Sequence, residues 1–243
     1  MVGTKRVGER VALRLAAEGV NLAIVYRRSK DEAERLQEKA KPLVGRTALM
    51  QADLTIEDDV KRIVGDAEEQ LGGLRFVINL ASDYPRAPFD SLNAESWDRA
   101  MGTAKSSYLL AVHSARVLMK NSGPPRGHIV MFSDWAAGET PYTDYLPYLT
   151  AKAAVDFMTR GFAAELAQHG VQVNSIAPGP TMRPPEISEE SWQRDVLDMA
   201  PLKRESSPDD IADMIVTLLK SETITGETIR VDSGRHLAGP GTQ

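Results

Sequence analysis

Tyr148 and Lys152 lie four residues apart at the end of the stretch SDWAAGETPYTDYLPYLTAK, which runs from Ser133 to Lys152. If the chain is helical from Tyr148 onward, the phenol and the ammonium share a face. An ammonium beside a phenol favours the phenolate, so the spacing predicts a Tyr148 pKa below the usual value of about 10. A phenol tuned that way can give a proton to a developing alkoxide, or take one from an alcohol, at neutral pH. The Y-x-x-x-K pattern is also common on amphipathic surface helices, so its meaning depends on the elements that position it.

Those elements alternate. Val11, Ala12, Leu15 and Ala16 recur at three and four within Val7 to Glu18, which predicts a helix. Gly19 suits its C-terminus. Asn21 to Tyr26 is nearly all apolar, as in a strand covered on both faces. Lys30 to Lys41 reads as a charged helix, Thr47 to Ala52 as a strand, Ile56 to Leu71 as a helix and Arg75 to Asn79 as a strand. A long helix over Ser96 to Met119 follows, then a strand over His128 to Phe132, a helix over Tyr148 to Gln168 and a strand over Val171 to Ile176. Ser207-Pro208-Asp209-Asp210 is a strong helix start that runs to about Lys220, and Thr228 to Val231 is the last strand. This alternation predicts the α/β class: a doubly wound parallel sheet with helices on both faces. No repeat or linker interrupts it, so residues 1–243 are expected to form one domain. The proline-rich piece from Pro178 to Glu189 reads as a mobile loop over a site.

Composition narrows the function classes. Net charge is −5, which argues against a nucleic-acid partner. No apolar run approaches the roughly 18 residues needed to span a bilayer, so no membrane partner is expected. There is no cysteine, hence no disulfide, thiolate nucleophile or cysteine zinc site, and a reducing cytoplasm is the expected location. His113, His128, His169 and His236 show no metal-ligand spacing, and no metal is expected.

Ligands of such sheets sit at the carboxyl ends of the strands. Gly3 and Gly8 precede the first helix, where backbone N–H groups and the helix dipole can hold a phosphate. Arg27 and Arg28 follow the strand Asn21 to Tyr26, where cations can hold the 2′-phosphate of NADP; two solvated arginines would read the same way. Asp53 and Asn79 close the next two strands and can equally cap turns.

Taken together these residues resemble the short-chain dehydrogenases/reductases over nearly the whole chain. Gly3-Thr4-Lys5-Arg6-Val7-Gly8 looks like the family's glycine-rich cofactor turn, and Ala52-Asp53-Leu54 like its adenine-contacting segment. Asn79-Leu80-Ala81-Ser82 corresponds to its N-N-A-G, Tyr148 and Lys152 to its catalytic pair, Pro178-Gly179 to its segment near the nicotinamide, and Val231-Asp232-Ser233-Gly234 to its C-terminal V-D-G-G. The resemblance implies that Tyr148 donates the proton, that Lys152 lowers its pKa and binds the nicotinamide ribose, and that NADP(H) carries the hydride. It also implies a homodimer or homotetramer built on long helices such as Tyr148 to Gln168, with its Ala153, Ala154, Phe157, Gly161, Phe162 and Ala164.

Four departures from the family pattern carry information. The catalytic serine's position, thirteen residues before the tyrosine, holds Trp135; Asp134 is the better candidate, with Ser133 as the fallback. An aspartate there is a feature of pteridine reductases. Arg6 replaces the middle glycine of the cofactor turn, as in those enzymes, and Tyr26-Arg27-Arg28-Ser29 and Tyr145 resemble their NADPH segment and a further site tyrosine. Ala104 stands where a catalytic asparagine normally helps hold a relay water. Only Met1 and Val2 remain of the family's central first strand, so two neighbouring strands are expected to have unpaired edges unless upstream residues complete it. The expected function is reduction of a small-molecule carbonyl or pterin-like substrate. The alternative, motivated by Ala104 and the short N-terminus, is a catalytically weak or inactive NADP(H)-binding sensor or assembly partner; in a third reading the short first strand prevents nucleotide binding.

Overall fold

The computed structural model describes residues 1–3, 6–183, 185 and 187–238. Among the described residues six parallel strands make up the sheet: β1 (Leu22–Tyr26), β2 (Thr47–Gln51), β3 (Phe76–Ile78), β4 (Gly127–Phe132), β5 (Val171–Pro178) and β6 (Thr228–Val231). They are linked by α1 (Val7–Ala17), α2 (Lys30–Ala40), α3 (Glu57–Leu71), α4 (Ala94–Leu118), α5 (Leu146–Leu166), α6 (Glu189–Trp192) and α7 (Pro208–Lys220). All six residues of β4 are buried, as a parallel strand covered on both faces requires. One face packs on α1, α2 and α7 through Val11, Leu15, Leu36, Ile211 and Ile215. The other packs on α3, α4 and α5 through Val60, Ile63, Leu110 and Val155. The fold is the doubly wound α/β architecture.

The central strand is reduced to one residue. β1 pairs with β2, and β3 to β6 pair in sequence order. Val2 forms parallel bridges to both Val25 and Asn79 and so joins the two groups. Its N–H donates to the Ile78 carbonyl at 2.9 Å, and its carbonyl accepts from Leu80 N–H at 3.0 Å. On the other side Val25 N–H donates to the Met1 carbonyl at 2.9 Å. The expected pair of open edges is corrected to this extent: two residues stitch both neighbours, and Val2 itself is buried.

Local chemistry explains the element ends. Ser207 caps α7 by accepting from Asp209 N–H and Asp210 N–H, as its sequence predicts. α4 starts two residues before its expected position, because Asn93 and Ser96 form a reciprocal capping box. The loop expected from Pro178 to Glu189 gives way at its end to α6, which Ser188 caps. The acidic residues Glu189 and Glu190 occupy the first turn of α6, where the helix dipole favours them.

His128 is the exception to good polar pairing in the sheet. It lies opposite Gln172 in register and is 2% exposed. Neither of its ring nitrogens, nor Gln172 Oε1, has a partner among the described residues. Burial pushes its pKa from 6.5 to about 4. Above pH 6.5 it is neutral in both folded and unfolded chains and contributes no pH dependence. Between about 6.5 and 4 the unfolded chain takes up a proton that the folded one refuses, so stability falls by roughly 3 kcal/mol across that window. In His128→Phe this share of the acid destabilisation is expected to vanish. Denaturant melts of both proteins across that pH range measure it; parallel curves would show that His128 is not the group responsible.

Candidate active site

The carboxyl end of the sheet gathers the chemistry. β4 ends at Phe132 and hands the chain to Ser133 and Asp134. The first turn of α5 presents Tyr148, and Lys152 follows one turn later. The Tyr148 hydroxyl donates to Asp134 Oδ2 at 2.8 Å. Asp134 Oδ1 accepts from Ala136 N–H at 3.0 Å, which fixes the carboxyl. Lys152 Nζ donates to the Phe132 carbonyl at 2.8 Å and lies 5.7 Å from the centre of the Tyr148 ring. Tyr148 and Lys152 are buried, so these groups interact with little screening by water.

Burial reverses one expectation. The Tyr148 pKa is held well above its ordinary value, first by desolvation and then by the Asp134 carboxylate and its hydrogen bond. The sequence spacing predicts the opposite, because it shows the ammonium but not the carboxylate, which the fold places on the hydroxyl itself. Lys152, fully enclosed, falls from 10.5 to about 8 by desolvation, with Asp134 and Asp156 opposing the fall. Burial likewise raises Asp134, against the pull of Ala136 N–H, the Tyr148 hydroxyl and the Lys152 charge.

The other candidates for the serine position turn away. The Ser133 hydroxyl donates to the Lys152 carbonyl at 3.3 Å and is also engaged by Asp156. Trp135 is buried against Tyr142, with the Arg235 guanidinium 4.8 Å above its ring. Ala104 is buried in α4. One turn on, Ser107 Oγ accepts from Asn79 Nδ2 at 3.1 Å, a polar partner that the family pattern did not point to.

Among the expected cofactor residues, Gly8 is dictated by close approach. A Cβ there would lie 2.2 Å from the Gly3 carbonyl oxygen, so any side chain would force the turn open before α1. Val7 opens α1. Arg6 adopts φ 54°, and its guanidinium donates to the Met182 carbonyl in the loop after β5. Lys5 lies outside the described residues. Tyr26 ends β1, Arg27 and Arg28 follow exposed to solvent, and Ser29 precedes α2. Arg27 lies 3.7 Å from the Asp53 carboxylate. Asp53 Oδ1 accepts from Thr55 N–H and Thr55 Oγ1, and the side-chain hydrogen bond heads the causes of its lowered pKa. Leu54 is buried in the core beneath α3. Asn79 Oδ1 accepts from Ala81 N–H at 3.1 Å, which shapes the turn after β3. Gly179, after Pro178, lies so near Asp232 that a Cβ would sit 2.8 Å from its Cα.

A set of tyrosines stands over Tyr148 that sequence reasoning identified only in part. Tyr84 stacks on Tyr145 at 4.4 Å and meets the Tyr148 ring edge-on at 4.8 Å. Tyr142 meets Tyr145 edge-on at 5.3 Å. Tyr142, Tyr145 and Tyr148 recur every third residue, a signal legible in the chain; Tyr84 arrives from the separate loop after β3. Trp192 turns inward and donates its indole N–H to Glu205 at 2.7 Å. Pro184, within the proline-rich loop expected over the site, lies outside the described residues.

The family model described as enoyl-(acyl carrier protein) reductase matches residues 3–236. The chain belongs to the short-chain dehydrogenase/reductase family. Among curated members, glucose 1-dehydrogenase of Gluconobacter oxydans is 30% identical over 240 residues, covering 96% of this chain and 89% of that protein. The 3-oxoacyl-[acyl-carrier-protein] reductase FabG of Staphylococcus aureus is 28% identical over 239 residues, covering 96% and 95%. Among solved structures, FolM alternative dihydrofolate reductase 1 of Brucella canis, complexed with NADP, is 29% identical with a TM-score of 0.86, covering 97% of this chain and 93% of that one. As a short-chain dehydrogenase/reductase, the protein is an oxidoreductase of a family that uses NAD(P). No helix among the described residues is long and apolar enough to cross a membrane.

Proposed function

We propose that the protein is an NADPH-dependent reductase of a planar, pterin-like C=N or C=O group, with Tyr148 as proton donor and Lys152 and Asp134 as its catalytic partners. The observation that carries this reading is the 2.8 Å hydrogen bond from Tyr148 to Asp134 beneath the Tyr84–Tyr145 stack. A phenol with a raised pKa stays protonated at neutral pH, which suits reduction, where the site must give a proton. The flat tyrosine faces suit a flat ring, since offset-stacked and edge-to-face arrangements are the favourable ones. The FolM neighbour's name and its bound NADP point the same way.

The residues present fit a dinucleotide. Gly8 packs against Gly3 at the N-terminus of α1, whose backbone N–H groups favour phosphate. Arg27 and Arg28, beyond β1, supply cations for a 2′-phosphate. Gly3, Lys5, Arg6, Val7, Gly8, Tyr26, Ser29, Asp53, Leu54, Asn79, Ala81, Pro178 and Gly179 complete the assigned binding set, and Lys152 would hold the nicotinamide ribose. A bound reduced nicotinamide supplies the hydride. Tyr148 Oη then gives its proton to the substrate oxygen or nitrogen, so the substrate gains two electrons and the cofactor loses them. Asp134, which accepts a hydrogen bond from the Tyr148 hydroxyl at 2.8 Å, would hold the phenol in position for that transfer.

An assembly through α4 and α5, a homodimer or homotetramer, follows from the solvent-facing Phe157 and Tyr108, 70% and 50% exposed. The absence of cysteine suits a cytoplasmic setting.

Titration with NADPH and NADH, then a turnover screen of dihydropterins and carbonyls, tests the proposal. NADPH binding with dihydropterin turnover is expected. Binding without turnover across the panel would favour the sensor reading, which the buried Ala104 supports. Arg28→Ala is expected to weaken NADPH about 10- to 100-fold and leave NADH unchanged, because a hydrogen bond to a charged group is worth about 1.5–3 kcal/mol. Equal losses for both nucleotides would remove Arg28 from the 2′-phosphate site.

A further inference from the structure

The loop after β3 carries Tyr84 to the site, yet residues 80–88 have no regular secondary structure and no ladder to hold them. Ionic clasps flank the ring instead. On one side Asp83 Oδ2 accepts from Arg99 of α4, from Nε at 2.8 Å and from Nη2 at 2.6 Å. Asp83 Oδ1 also accepts from Tyr84 N–H at 3.1 Å, which fixes the backbone at the ring itself. On the other side Arg86 donates from Nε at 3.0 Å and Nη2 at 2.6 Å to Asp144 Oδ2. Ala87 N–H donates to the Asp144 carbonyl at 2.6 Å, so side chain and backbone grip together. Asp144 holds φ 66°, a conformation that aspartate tolerates better than most residues, and it immediately precedes Tyr145. The two stacked rings, Tyr84 and Tyr145, are thus each tied to one end of the Arg86–Asp144 clasp.

We propose that Arg86–Asp144 and Arg99–Asp83 make residues 83–87 a strap that determines specificity, holding Tyr84 in the wall that selects flat ring substrates over small flexible ketones. This rests on the reading of the site as a reductase of planar substrates. These are positioning residues: they act through the ring of Tyr84, which is 54% exposed and makes its close ring contacts with Tyr145 and Tyr148. Exposed ion pairs contribute little to global stability and are screened by salt. Their removal therefore loosens the strap without unfolding the protein.

The test compares wild type, Arg86→Gln, Arg99→Gln and the charge-conserving Arg86→Lys, which leaves Asp144 and its φ of 66° untouched. Near-UV circular dichroism reads the tyrosine packing with no substrate present, and NADPH oxidation is followed with dihydrobiopterin and with diacetyl as probes. Either glutamine variant is expected to lose near-UV tyrosine signal with little change in melting temperature. KM for dihydrobiopterin should rise about five- to tenfold, the size of one lost aromatic contact, with kcat within about twofold and diacetyl kinetics unchanged. Arg86→Lys, which keeps a cation opposite Asp144, should retain more of both readouts than Arg86→Gln, and high salt should mimic Arg86→Gln in wild type. Unchanged near-UV signal in both glutamine variants would overturn the strap, whatever the turnover screen shows. Equal effects on both probes, or kcat falling with KM constant, would also overturn it. If wild type reduces neither probe, the substrate reading fails, and the dichroism of the two glutamine variants against Arg86→Lys decides the strap.

Discussion

Tyr148→Phe is expected to lower kcat by about 10²- to 10⁴-fold, the usual share of a positioned proton donor, while NADPH affinity stays within about twofold. The phenyl ring preserves the contacts with Tyr84 and Tyr145 and removes only the hydroxyl that bonds Asp134. Asp134 keeps its hydrogen bond from Ala136 N–H, which still fixes the carboxyl. The melting temperature should therefore move little, consistent with one hydrogen bond at about 1 kcal/mol. Single-turnover reduction, fluorescence titration with NADPH and a thermal melt separate the three effects. Turnover that survives the substitution would reject Tyr148 as the donor and leave the family assignment intact.

The second large effect sets activity against stability. Lys152→Met is expected to cost about 10²-fold or more in kcat/KM, because it removes the charge beside Tyr148 and the assigned contact to the nicotinamide ribose. It should not lower the melting temperature. Enclosing the ammonium depresses its pKa from 10.5 to about 8, which corresponds to roughly 3 kcal/mol of penalty at neutral pH. Against this stands the hydrogen bond to the Phe132 carbonyl, whose loss costs about 1–3 kcal/mol. Methionine has similar length and no charge to desolvate.

The same residue predicts opposite pH trends for the two properties. Below about pH 8 Lys152 is charged in folded and unfolded chains alike. Between about 8 and 10.5 the folded protein gives up the proton first, so stability rises with pH while the ammonium needed for activity disappears. In the wild type kcat/KM should fall above about pH 8 as the midpoint of denaturation climbs; in Lys152→Met the stability trend should flatten. A pronounced drop in melting temperature for the variant would show that the ammonium stabilises the fold on balance.

Much of this molecule is legible in its residues taken singly and in short periods. Parallel strands covered on both faces must be largely apolar, and β4 reads that way from Ile129 to Phe132; Ser207 and the carboxylates after it announce α7 through the capping of orphan N–H groups. The closeness of Tyr148 and Lys152 in space needs nothing beyond helical spacing, and Gly3 and Gly8 mark the close approach at the start of α1, where Gly8 is the second helical residue. Tertiary structure decided what depends on distance across the sheet and on exclusion of water. Burial, together with a carboxylate from the far side of a loop, set the sign of the Tyr148 pKa shift against the local pattern. Bonds to strands on either side made Val2 a sufficient bridge between β1 and β3, although one residue has no periodicity to read. Tyr84 reached Tyr145 from 61 positions away in sequence because the strap's ion pairs and the parallel sheet place both loops at the same end. Sequence carries spacing within an element; desolvation and contact between elements arise only when the sheet has assembled.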